Sequence, residues 1–296
     1  MGSVVGESQF AFIPSQQILD CSLVANEVLD HARRSGHKAI VFKIDFQKAY
    51  DTVSWDFFIL VLHACGFSET WCDWIKKCVS TASISILVNG SPTEAFNITR
   101  GLRQECSLSP LLFNIVGEAL NLMLPKAVSR GIFNGINVGN RDQHLEISHL
   151  QFADDLLIFC NGEEIQARNV KRVLRVFELC SGLKLNLRKS RMFGINIQEE
   201  DLNSWARKIG CRVDNFPTEY LGLPLGATRN SAHLWDPVIK NFSVKLGGWK
   251  SKFLSLGGRI TLIKSILNSL PVYFISLFKM PVAIYKKFNG LISKFL

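Results

Sequence analysis

The 296-residue sequence lacks the cysteine patterns that mark zinc proteins and disulfide-stapled secreted proteins. Its 8 cysteines are scattered, none forms a C-x-x-C pair, and no cysteine–histidine cluster has zinc-site spacing. Several lie in apolar runs, where we expect buried thiols. This usage is typical of a reducing compartment, so we expect an intracellular protein of the nucleus or cytoplasm.

The sequence also lacks the hydrophobic runs of secreted and membrane-spanning proteins. Met1 to Phe10 contains no basic stretch followed by an apolar one, which predicts no signal peptide. The most apolar late stretch, Ile260 to Tyr285, is interrupted by charged residues, an amide and prolines, namely Lys264, Asn268, Pro271, Lys279 and Pro281. We therefore expect no transmembrane segment and no membrane partner. Internal repeats and low-complexity tracts are absent as well.

Acidic residues are scarce in the last part of the chain, where Asp236 is the only one after Ala227. Aromatic residues alternate there with many lysines and arginines; the aromatics are Trp235, Phe242, Trp249, Phe253, Tyr273, Phe274 and Phe278. The whole chain carries a net charge of +9 and is 47% hydrophobic, which indicates a globular protein with a polyanionic partner. Basic helices with aromatics suit a phosphate backbone, although many of these aromatics would equally suit a core.

Two apolar runs flank a pair of adjacent carboxylates, Asp154 and Asp155. Apolar runs with a polar break predict two buried strands joined by a tight turn. An ordinary acidic turn is one interpretation, because aspartate suits turns. The other is a metal site, because two like charges so close together require a cation, and Mg²⁺ prefers carboxylate oxygens and substrate phosphates.

A third carboxylate follows a second predicted strand. The run Ala39 to Ile44 is rich in β-branched and aromatic residues and ends at Asp45. An aspartate at a strand end is common on protein surfaces. If this strand lies beside the hairpin, however, three carboxylates can surround two metal ions and support phosphoryl transfer.

Six sequence blocks resemble, in order, the reverse transcriptases of non-LTR (LINE-type) retrotransposons abundant in plant genomes. The blocks are Ile44-Asp45-Phe46-Gln47-Lys48-Ala49-Tyr50-Asp51, Gly101-Leu102-Arg103-Gln104, Leu108-Ser109-Pro110-Leu111-Leu112-Phe113, Phe152-Ala153-Asp154-Asp155, Gly182-Leu183-Lys184-Leu185-Asn186 and Tyr220-Leu221-Gly222. The resemblance covers nearly the whole chain. It implies an α+β right-hand polymerase with fingers, palm and thumb, whose antiparallel palm sheet packs on helices.

The resemblance implies RNA-directed DNA synthesis by two-metal nucleotidyl transfer. Asp45 and Asp154 would bind two Mg²⁺ ions, for which Mn²⁺ is a possible substitute, and Asp155 would be a support or transient ligand. The Phe46 carbonyl would complete one metal shell. The expected partners are an RNA template, a DNA primer and deoxynucleoside triphosphates. An RNA-dependent RNA polymerase is a distant alternative, because those enzymes more often carry Gly-Asp-Asp at the hairpin.

Further residues receive roles from the same resemblance. Tyr50 would pack under the deoxyribose and exclude a 2′-hydroxyl, and Gln104 would lie along the incoming nucleotide. Lys189 would lie near the triphosphate, Arg103 near the template, and the turn Tyr220-Leu221-Gly222 would grip the primer end. From the residues alone, the alternatives are a core aromatic for Tyr50, a solvated loop amide for Gln104, a surface lysine for Lys189 and a structural turn for Tyr220-Leu221-Gly222, and the loop amide is the favoured interpretation of Gln104.

The resemblance also predicts a domain division. Residues 1–38 would be truncated fingers, 39–60 the palm strand with the first carboxylate, and 61–104 a fingers insertion with a hairpin. Residues 105–227 would complete the palm, and 228–296 would form a partial thumb of basic helices.

The chain departs from the family pattern at several positions. Glu105 and Ser107 replace the usual glycine and proline, and Ser15-Gln16 replaces Gly-Arg. From the resemblance we also expect the upstream finger strands to be absent from this stretch. A charge at Glu105 about 5 Å from a triphosphate would oppose binding by roughly 3 kcal/mol, about a hundredfold in affinity. A catalytically dead remnant, acting at most as a nucleic-acid-binding or scaffold protein, is therefore the alternative function.

Local signals predict individual elements. Ser54 should cap a helix that ends near Gly66, and Asn89-Gly90 should form a hairpin turn. A helix should begin with Ser109 as its cap and kink or end near Pro125. Asn161 should cap a helix that stops at Gly182, with a strand following through Leu183, Leu185 and Leu187. Glu199 to Ile209 should form an amphipathic helix.

Overall fold

The structure is a computed structural model that describes residues 4–14, 16–140, 143–228, 231–248, 253–267 and 269–296. The chain divides into two compact units, Met1–Asn215 and Phe216–Leu296. Of the residues named above, Ser15, Trp249 and Asn268 lie outside the described residues, as do Arg229, Lys250 and Lys252 among the basic residues of the last part of the chain. The functional division into fingers, palm and thumb stays a prediction.

The first unit mixes helices and strands. Its helices are α1 Ile18–Arg34, α2 Ala49–Thr52, α3 Trp55–Ala64, α4 Glu69–Ser80, α5 Ser109–Ser129, α6 Glu164–Ser181 and α7 Glu199–Ile209. Its strands are β1 Ala39–Ile44, β2 Ser83–Ile84, β3 Leu87–Val88, β4 Ser91–Pro92, β5 Phe96–Asn97, β6 Ile136–Asn140, β7 Gln143–Ile147, β8 His149–Phe152, β9 Asp155–Asn161, β10 Arg191–Ile195 and β11 Arg212–Val213.

A five-stranded sheet in the order β11-β10-β1-β9-β8 forms the centre of this unit. All of its pairs are antiparallel except β10–β11. Strand β1 is apolar except at Lys43, because alternate residues face opposite sides of the sheet and both sides are covered. Ile40, Phe42 and Ile44 join a core with residues of α3, α5 and α6, while α1 contacts β8 and β10.

The N-terminal residues protect the outer edge of β8. The backbone N–H of Phe10 donates to the Gln151 carbonyl at 2.9 Å, and the N–H of Gln151 donates to the Ser8 carbonyl at 2.8 Å. Gln9 and Gln151 therefore pair as a parallel bridge. The strand that leads into the carboxylate pair is thus hydrogen-bonded on both sides.

Helix α5 departs from the prediction at both ends. It begins at Ser109, so Leu108 is the N-cap, and it continues through Pro125 to Ser129. The helix continues beyond the proline because Leu124 and Ala127 are both buried in the core. Among the described residues, α5 is the one helix long and apolar enough to cross a membrane, and it lies mostly buried within this unit.

Two further predictions are wrong. Asn161 is the last residue of β9 rather than a helix cap, its side-chain oxygen lies 2.9 Å from His37 Nε2, and α6 begins at Glu164. The segment Leu183 to Leu187 is not a strand; within it only Leu185 makes an isolated bridge, to Phe46. A turn follows, since Lys189 and Ser190 both donate backbone hydrogen bonds to the Asn186 carbonyl, and the strand is β10.

Several local predictions are confirmed. The Ser54 hydroxyl accepts a hydrogen bond from the Phe57 N–H at the start of α3. Asn89 and Gly90 take φ values of 51° and 84° between the paired strands β3 and β4, as a two-residue hairpin turn requires. Gly182 caps α6 in the left-handed conformation. Helix α7 spans the predicted residues Glu199–Ile209.

The second unit contains a short hairpin and several helices. Its strands are β12 Thr218–Tyr220 and β13 Leu223–Leu225, and its helices are α8 Asp236–Gly248, α9 Leu256–Leu262, α10 Val272–Ile275 and α11 Val282–Phe295. A 3₁₀ segment, Ala232–Trp235, precedes α8, and a π-helical segment, Ile263–Leu267, follows α9. Aromatic rings hold this unit together, for Trp235 lies 5.8 Å from Phe274 and Phe242 lies 5.0 Å from Phe288, between ring centroids.

Candidate active site

Strand pairing brings the predicted carboxylates to one end of the central sheet. Ile44, the last residue of β1, pairs with Leu156 of β9, so the next residue, Asp45, comes level with Asp155. Asp155 in turn pairs with Phe152 and closes the β8–β9 hairpin. Ala153 and Asp154 are left as its two-residue turn, which places Asp154 at the tip beside the other two carboxylates.

The electrostatics of this cluster favour a cation. The pKa of Asp155 is raised above its usual range, first by burial and then by the charge of Asp154. Asp45 raises the pKa further, and Lys43 opposes the shift. Like charges therefore lie close enough to disfavour the ionised form of Asp155, as expected where a positive ion would compensate them.

The donor set fits a divalent cation that completes its coordination with substrate. In the described ranges, no three histidine, cysteine, aspartate or glutamate residues form a group that could hold a metal ion by themselves. Mg²⁺ does not need such a group, since one or two carboxylates with substrate phosphates and waters suffice. Asp45 and Asp154 supply hard oxygen donors of that kind.

The Phe46 carbonyl is oriented toward the same place. The neighbouring Asp45 carbonyl accepts a 2.8 Å hydrogen bond from Asn186 N–H, and Gln47 N–H donates to the Lys184 carbonyl at 2.8 Å. Successive carbonyls of an extended chain point to opposite sides. The Phe46 carbonyl is therefore directed away from this segment and toward the β8–β9 hairpin.

An open cleft of about 480 Å³ lies beside the hairpin tip, within the usual size range of ligand pockets. Its lining includes the predicted metal-site residues Phe46 and Asp154 and the predicted nucleotide and template residues Tyr50, Gln104 and Arg103. Lys48, Ala49, Glu105, Cys106, Ser109 and Pro110 complete it. Residues from three distant parts of the sequence thus share one concave surface.

The segment carrying Arg103 and Gln104 is fixed to the region after β1 by backbone contacts. Gly101 N–H donates to the Val53 carbonyl at 2.8 Å, and the Trp55 indole N–H donates to the Gly101 carbonyl at 2.7 Å. Only glycine fits at 101, because its φ is +92° and a Cβ would lie 2.7 Å from the Asp51 carbonyl oxygen. The cleft wall is consequently well defined.

Two predicted nucleotide residues have specific partners in the cleft. The Tyr50 ring stacks on Phe113 with centroids 4.7 Å apart, and burial and the Asp154 charge raise the pKa of its hydroxyl. Gln104 donates a 2.9 Å hydrogen bond from its side-chain amide to the Asp51 carboxylate. Both side chains are therefore held in place on the cleft wall.

One departure from the family pattern, Glu105, lies in the cleft, next to Cys106. Glu105 is exposed and takes a φ of +58°, the left-handed region that glycine occupies without penalty. The Cys106 thiol accepts hydrogen bonds from the N–H groups of Leu108 and Ser109, which lower its pKa. The position at 105 thus requires the glycine-like conformation although the residue is glutamate.

Lys189 is not among the described residues that line the cleft, and the turn Tyr220-Leu221-Gly222 belongs to the second unit. Lys189 is exposed, and it precedes Ser190, whose hydroxyl accepts a 3.1 Å hydrogen bond from the Asp45 N–H. In the second unit, Leu221 and Gly222 take φ values of 52° and 75°, and the Tyr273 hydroxyl donates to the Leu221 carbonyl at 2.8 Å. The predicted tight turn is present, whereas its functional role stays a prediction.

Sequence reasoning missed three residues that support the carboxylates. Ser190 contacts the Asp45 backbone, as described above, while the side chains of Gln9 and Gln151 hydrogen-bond the backbone of Ala153. Polar residues at strand edges are so common that none of them is conspicuous in a single sequence. Only the three-dimensional pairing identifies their partners.

Comparisons with known proteins identify the family of this chain. The family profile described as reverse transcriptase (RNA-dependent DNA polymerase) matches residues 1–227. The chain is 25% identical over 285 residues to the transposon TX1 uncharacterized 149 kDa protein of Xenopus laevis, covering 91% of this chain and 20% of that protein. It is 33% identical over 177 residues to the Pol polyprotein from the type-1 retrotransposable element R2 of Popillia japonica, covering 58% and 24% respectively. The chain therefore spans a quarter or less of these relatives.

A solved structure supports the fold independently of sequence identity. The telomerase of Candida tropicalis, in complex with a TWJ fragment of telomeric RNA, superposes with a TM-score of 0.54 at 12% identity, covering 97% of this chain and 43% of that one. Similarity at this identity bears on the fold alone. The predicted α+β right-hand polymerase fold and the resemblance to non-LTR retrotransposon reverse transcriptases are both confirmed.

Proposed function

Because this chain belongs to the reverse transcriptase (RNA-dependent DNA polymerase) family, we propose that it adds deoxynucleotides to a DNA primer on an RNA template. The observation that carries the proposal is the strand register that brings Asp45 level with Asp155 beside a nucleotide-sized cleft. Reactions of this class depend on positioning and on stabilisation of charge, for which such a cluster is suited.

In the proposed site, Asp45 and Asp154 hold two Mg²⁺ ions, or Mn²⁺ in their place. Asp155 supports them, and the Phe46 carbonyl completes one shell. The bound ions supply activation of the primer 3′-hydroxyl and stabilisation of the leaving oxygen. The raised pKa of Asp155 supports this assignment, because a cluster of uncompensated carboxylates favours cation binding.

The remaining cleft residues orient the nucleotide and the template. The Tyr50 ring, stacked on Phe113, packs beneath the deoxyribose and excludes a 2′-hydroxyl. Gln104 lies along the incoming nucleotide and Arg103 near the template. Lys189 acts at the triphosphate from outside the described cleft, where it protonates the departing pyrophosphate.

The nucleic acid partners follow from the charge of the chain. A net charge of +9 favours a polyanion, and the basic residues of the second unit suit a primer–template backbone. In this proposal, the turn Tyr220-Leu221-Gly222 contacts the primer end. The fingers, palm and thumb follow the division predicted from the sequence.

Glu105 favours a second candidate, a nucleic-acid-binding remnant without catalysis. Its carboxylate belongs to the cleft lining that would receive the triphosphate, and its φ of +58° is unfavourable for any residue except glycine. The charge opposes binding of the triphosphate, and the conformation lowers the stability of the cleft wall, while neither prevents contact with a nucleic acid backbone.

Primer extension on an RNA template, first with Mg²⁺ and then with Mn²⁺, separates these functions. Synthesis that disappears in Asp154→Asn supports the polymerase. If the folded chain binds primer–template but extends it with neither metal, the remnant is supported instead. Binding is measured by fluorescence anisotropy, and folding of both proteins is compared by circular dichroism.

A further inference from the structure

The turn that presents Asp154 contains a residue in an unfavourable backbone conformation. Ala153 has a φ of +54°, in the left-handed region that a residue with a Cβ rarely occupies. It immediately precedes Asp154, so any rotation of its backbone moves the carboxylate that follows. A conformation of this kind persists only where the surroundings enforce it.

Two side-chain amides hydrogen-bond the backbone of Ala153, one at its N–H and the other at its carbonyl. The Ala153 N–H donates to Gln9 Oε1 at 3.1 Å, and Gln151 Nε2 donates to the Ala153 carbonyl at 2.8 Å. Gln9 Oε1 also accepts from the Ala11 N–H at 3.0 Å. One glutamine comes from the N-terminal segment and the other from β8, two residues before the turn.

Both amides are buried and closely packed. Gln9 is 0% exposed and Gln151 is 2% exposed. A Cβ at Gly117 of α5 would lie 2.7 Å from Gln151 Nε2. The Gln151 amide therefore packs directly against the helix at Gly117, where no residue larger than glycine fits beside it. The two glutamines therefore form rigid contacts with the turn.

The other polar atom of each amide has no partner within the described residues. Gln9 Nε2 and Gln151 Oε1 are both buried without a hydrogen bond. Buried polar atoms in this state cost free energy, and they call for an explanation beyond packing, since an apolar side chain would avoid the cost. Here the polarity of both amides is directed at Ala153.

We propose that Gln9 and Gln151 are positioning residues that hold Ala153 in the left-handed conformation and so fix the Asp154 carboxylate for metal binding. The proposal rests on the proposed polymerase function for its kinetic consequence, and on geometry alone for the rigidity of the turn. Mg²⁺ demands near-ideal octahedral geometry, so a displaced carboxylate should impair Mg²⁺-dependent catalysis in particular.

The kinetic test uses Gln9→Met and Gln151→Met in the full chain, which remove each amide while keeping the side-chain length. We expect kcat with Mg²⁺ to fall by about tenfold to a hundredfold with little change in the KM for deoxynucleotide. Mn²⁺ should restore part of the loss and raise the ratio of Mn²⁺ to Mg²⁺ activity. The matched control is Asn114→Leu, which removes a buried hydrogen bond from α5 to the Ala11 carbonyl without contacting the turn. Its metal ratio should equal that of the wild type.

Amide hydrogen exchange measured by NMR tests the same proposal without activity. The Ala153 amide should exchange at least about tenfold faster in Gln9→Met, while Leu157 in β9 keeps its wild-type rate. Gln9→Glu retains the acceptor oxygen and should keep exchange at Ala153 slow, which provides a second variant if Gln9→Met does not fold. Unchanged exchange at Ala153 in Gln9→Met, or a metal ratio in both methionine variants equal to that of Asn114→Leu, would overturn the proposal. An inactive wild-type chain would contradict the polymerase function, yet the exchange result would still decide the role of Gln9.

Discussion

Gln104 and Asp51 are joined by a 2.9 Å hydrogen bond from the side-chain amide to the carboxylate. The two residues belong to different sequence blocks, and Asp51 lies in the short helix α2 directly after β1. In the same helix, the Tyr50 carbonyl accepts a 2.6 Å hydrogen bond from the Leu102 N–H. Helix α2 therefore aligns the proposed sugar-contacting residue and the proposed nucleotide-contacting residue on one wall of the cleft.

Removal of the Asp51 carboxylate should weaken nucleotide binding. In Asp51→Ala, Gln104 loses its partner, and because the bond is exposed we expect a loss of about 1 kcal/mol, or about fivefold in the KM for deoxynucleotide. The kcat should change less. Steady-state primer extension with varied nucleotide concentration measures both. Asp56→Ala removes the same charge from the first turn of α3 and serves as the control, so equal KM changes in the two variants would contradict the orienting role of Asp51.

The raised pKa of Asp155 predicts a pH-dependent and metal-dependent stability. The pKa of Asp155 is higher in the folded chain than in the unfolded chain, so the free energy of unfolding decreases as pH rises from the unfolded pKa through the folded pKa. The loss persists at higher pH. In metal-free buffer, Asp155→Asn should therefore unfold at higher urea concentration than the wild type at pH 7. At a pH below the ordinary pKa of aspartate, this difference should disappear.

Divalent metal should reduce the same difference at pH 7, because a bound cation stabilises the ionised carboxylate. Urea unfolding with EDTA and with Mg²⁺ measures the effect. Asp73→Asn, an exposed substitution in α4, provides the control. A stabilisation by Asp155→Asn that depends on neither pH nor metal would contradict the assignment.

The carboxylate hairpin could be predicted from the sequence, because its signal is local. Apolar runs on both sides of Asp154 and Asp155 require burial, and the polar break between them predicts a tight turn. The turn lies one residue earlier than the break, at Ala153 and Asp154, because Asp155 pairs with Phe152 as the first residue of β9. Asp45 was predictable for the same reason. The pattern Leu183, Leu185 and Leu187 was misleading, because alternation reports burial rather than hydrogen bonding, and this segment makes a single bridge before the turn at Asn186.

The support of the hairpin could not be predicted, because it depends on distant pairing. Gln9 and Ala153 are 144 residues apart, and no local pattern distinguishes Gln9 from a surface glutamine. Asn161 illustrates a related difficulty. Asparagine suits both the end of a strand and the cap of a helix, and the contact with His37 decides between them.

His149 should make the stability of the first unit depend on pH. Its side chain is 2% exposed, and its ring nitrogens lie 2.9 Å from the Ser148 hydroxyl and 3.0 Å from Asn121 Oδ1. Burial lowers the pKa of His149 from 6.5 to about 4. The unfolded chain therefore binds a proton more readily between these values, and stability should fall by about 3 kcal/mol as pH decreases from 6.5 to 4.

His149→Gln should give a shallower decrease in unfolding free energy over this pH range, even if its stability at pH 7 is lower. Urea denaturation followed by circular dichroism at several pH values measures the slope. His233→Gln, at a histidine whose side chain is 93% exposed, should keep the wild-type slope. Parallel curves for wild type and His149→Gln would mean that the buried imidazole does not control this dependence.

Replacement of Glu105 by glycine tests two separate effects at one position. The φ of +58° penalises any residue with a Cβ by about 1–2 kcal/mol, and glycine recovers this at a cost of roughly 0.5–1 kcal/mol in unfolded-chain entropy. We therefore expect Glu105→Gly to be slightly more stable than the wild type. The lost carboxylate should also lower the KM for deoxynucleotide, by at most about a hundredfold and by less with solvent screening.

Glu105→Gln separates the charge from the conformation, because it removes the carboxylate and keeps the side chain. We expect Glu105→Gln to lower the KM nearly as much as Glu105→Gly without the gain in unfolding free energy. High salt should reduce the KM difference between wild type and both variants, since an electrostatic repulsion is screened. If Glu105→Gly alone lowers the KM, the backbone conformation rather than the charge limits nucleotide binding. If neither variant changes it, the Glu105 carboxylate does not face the triphosphate.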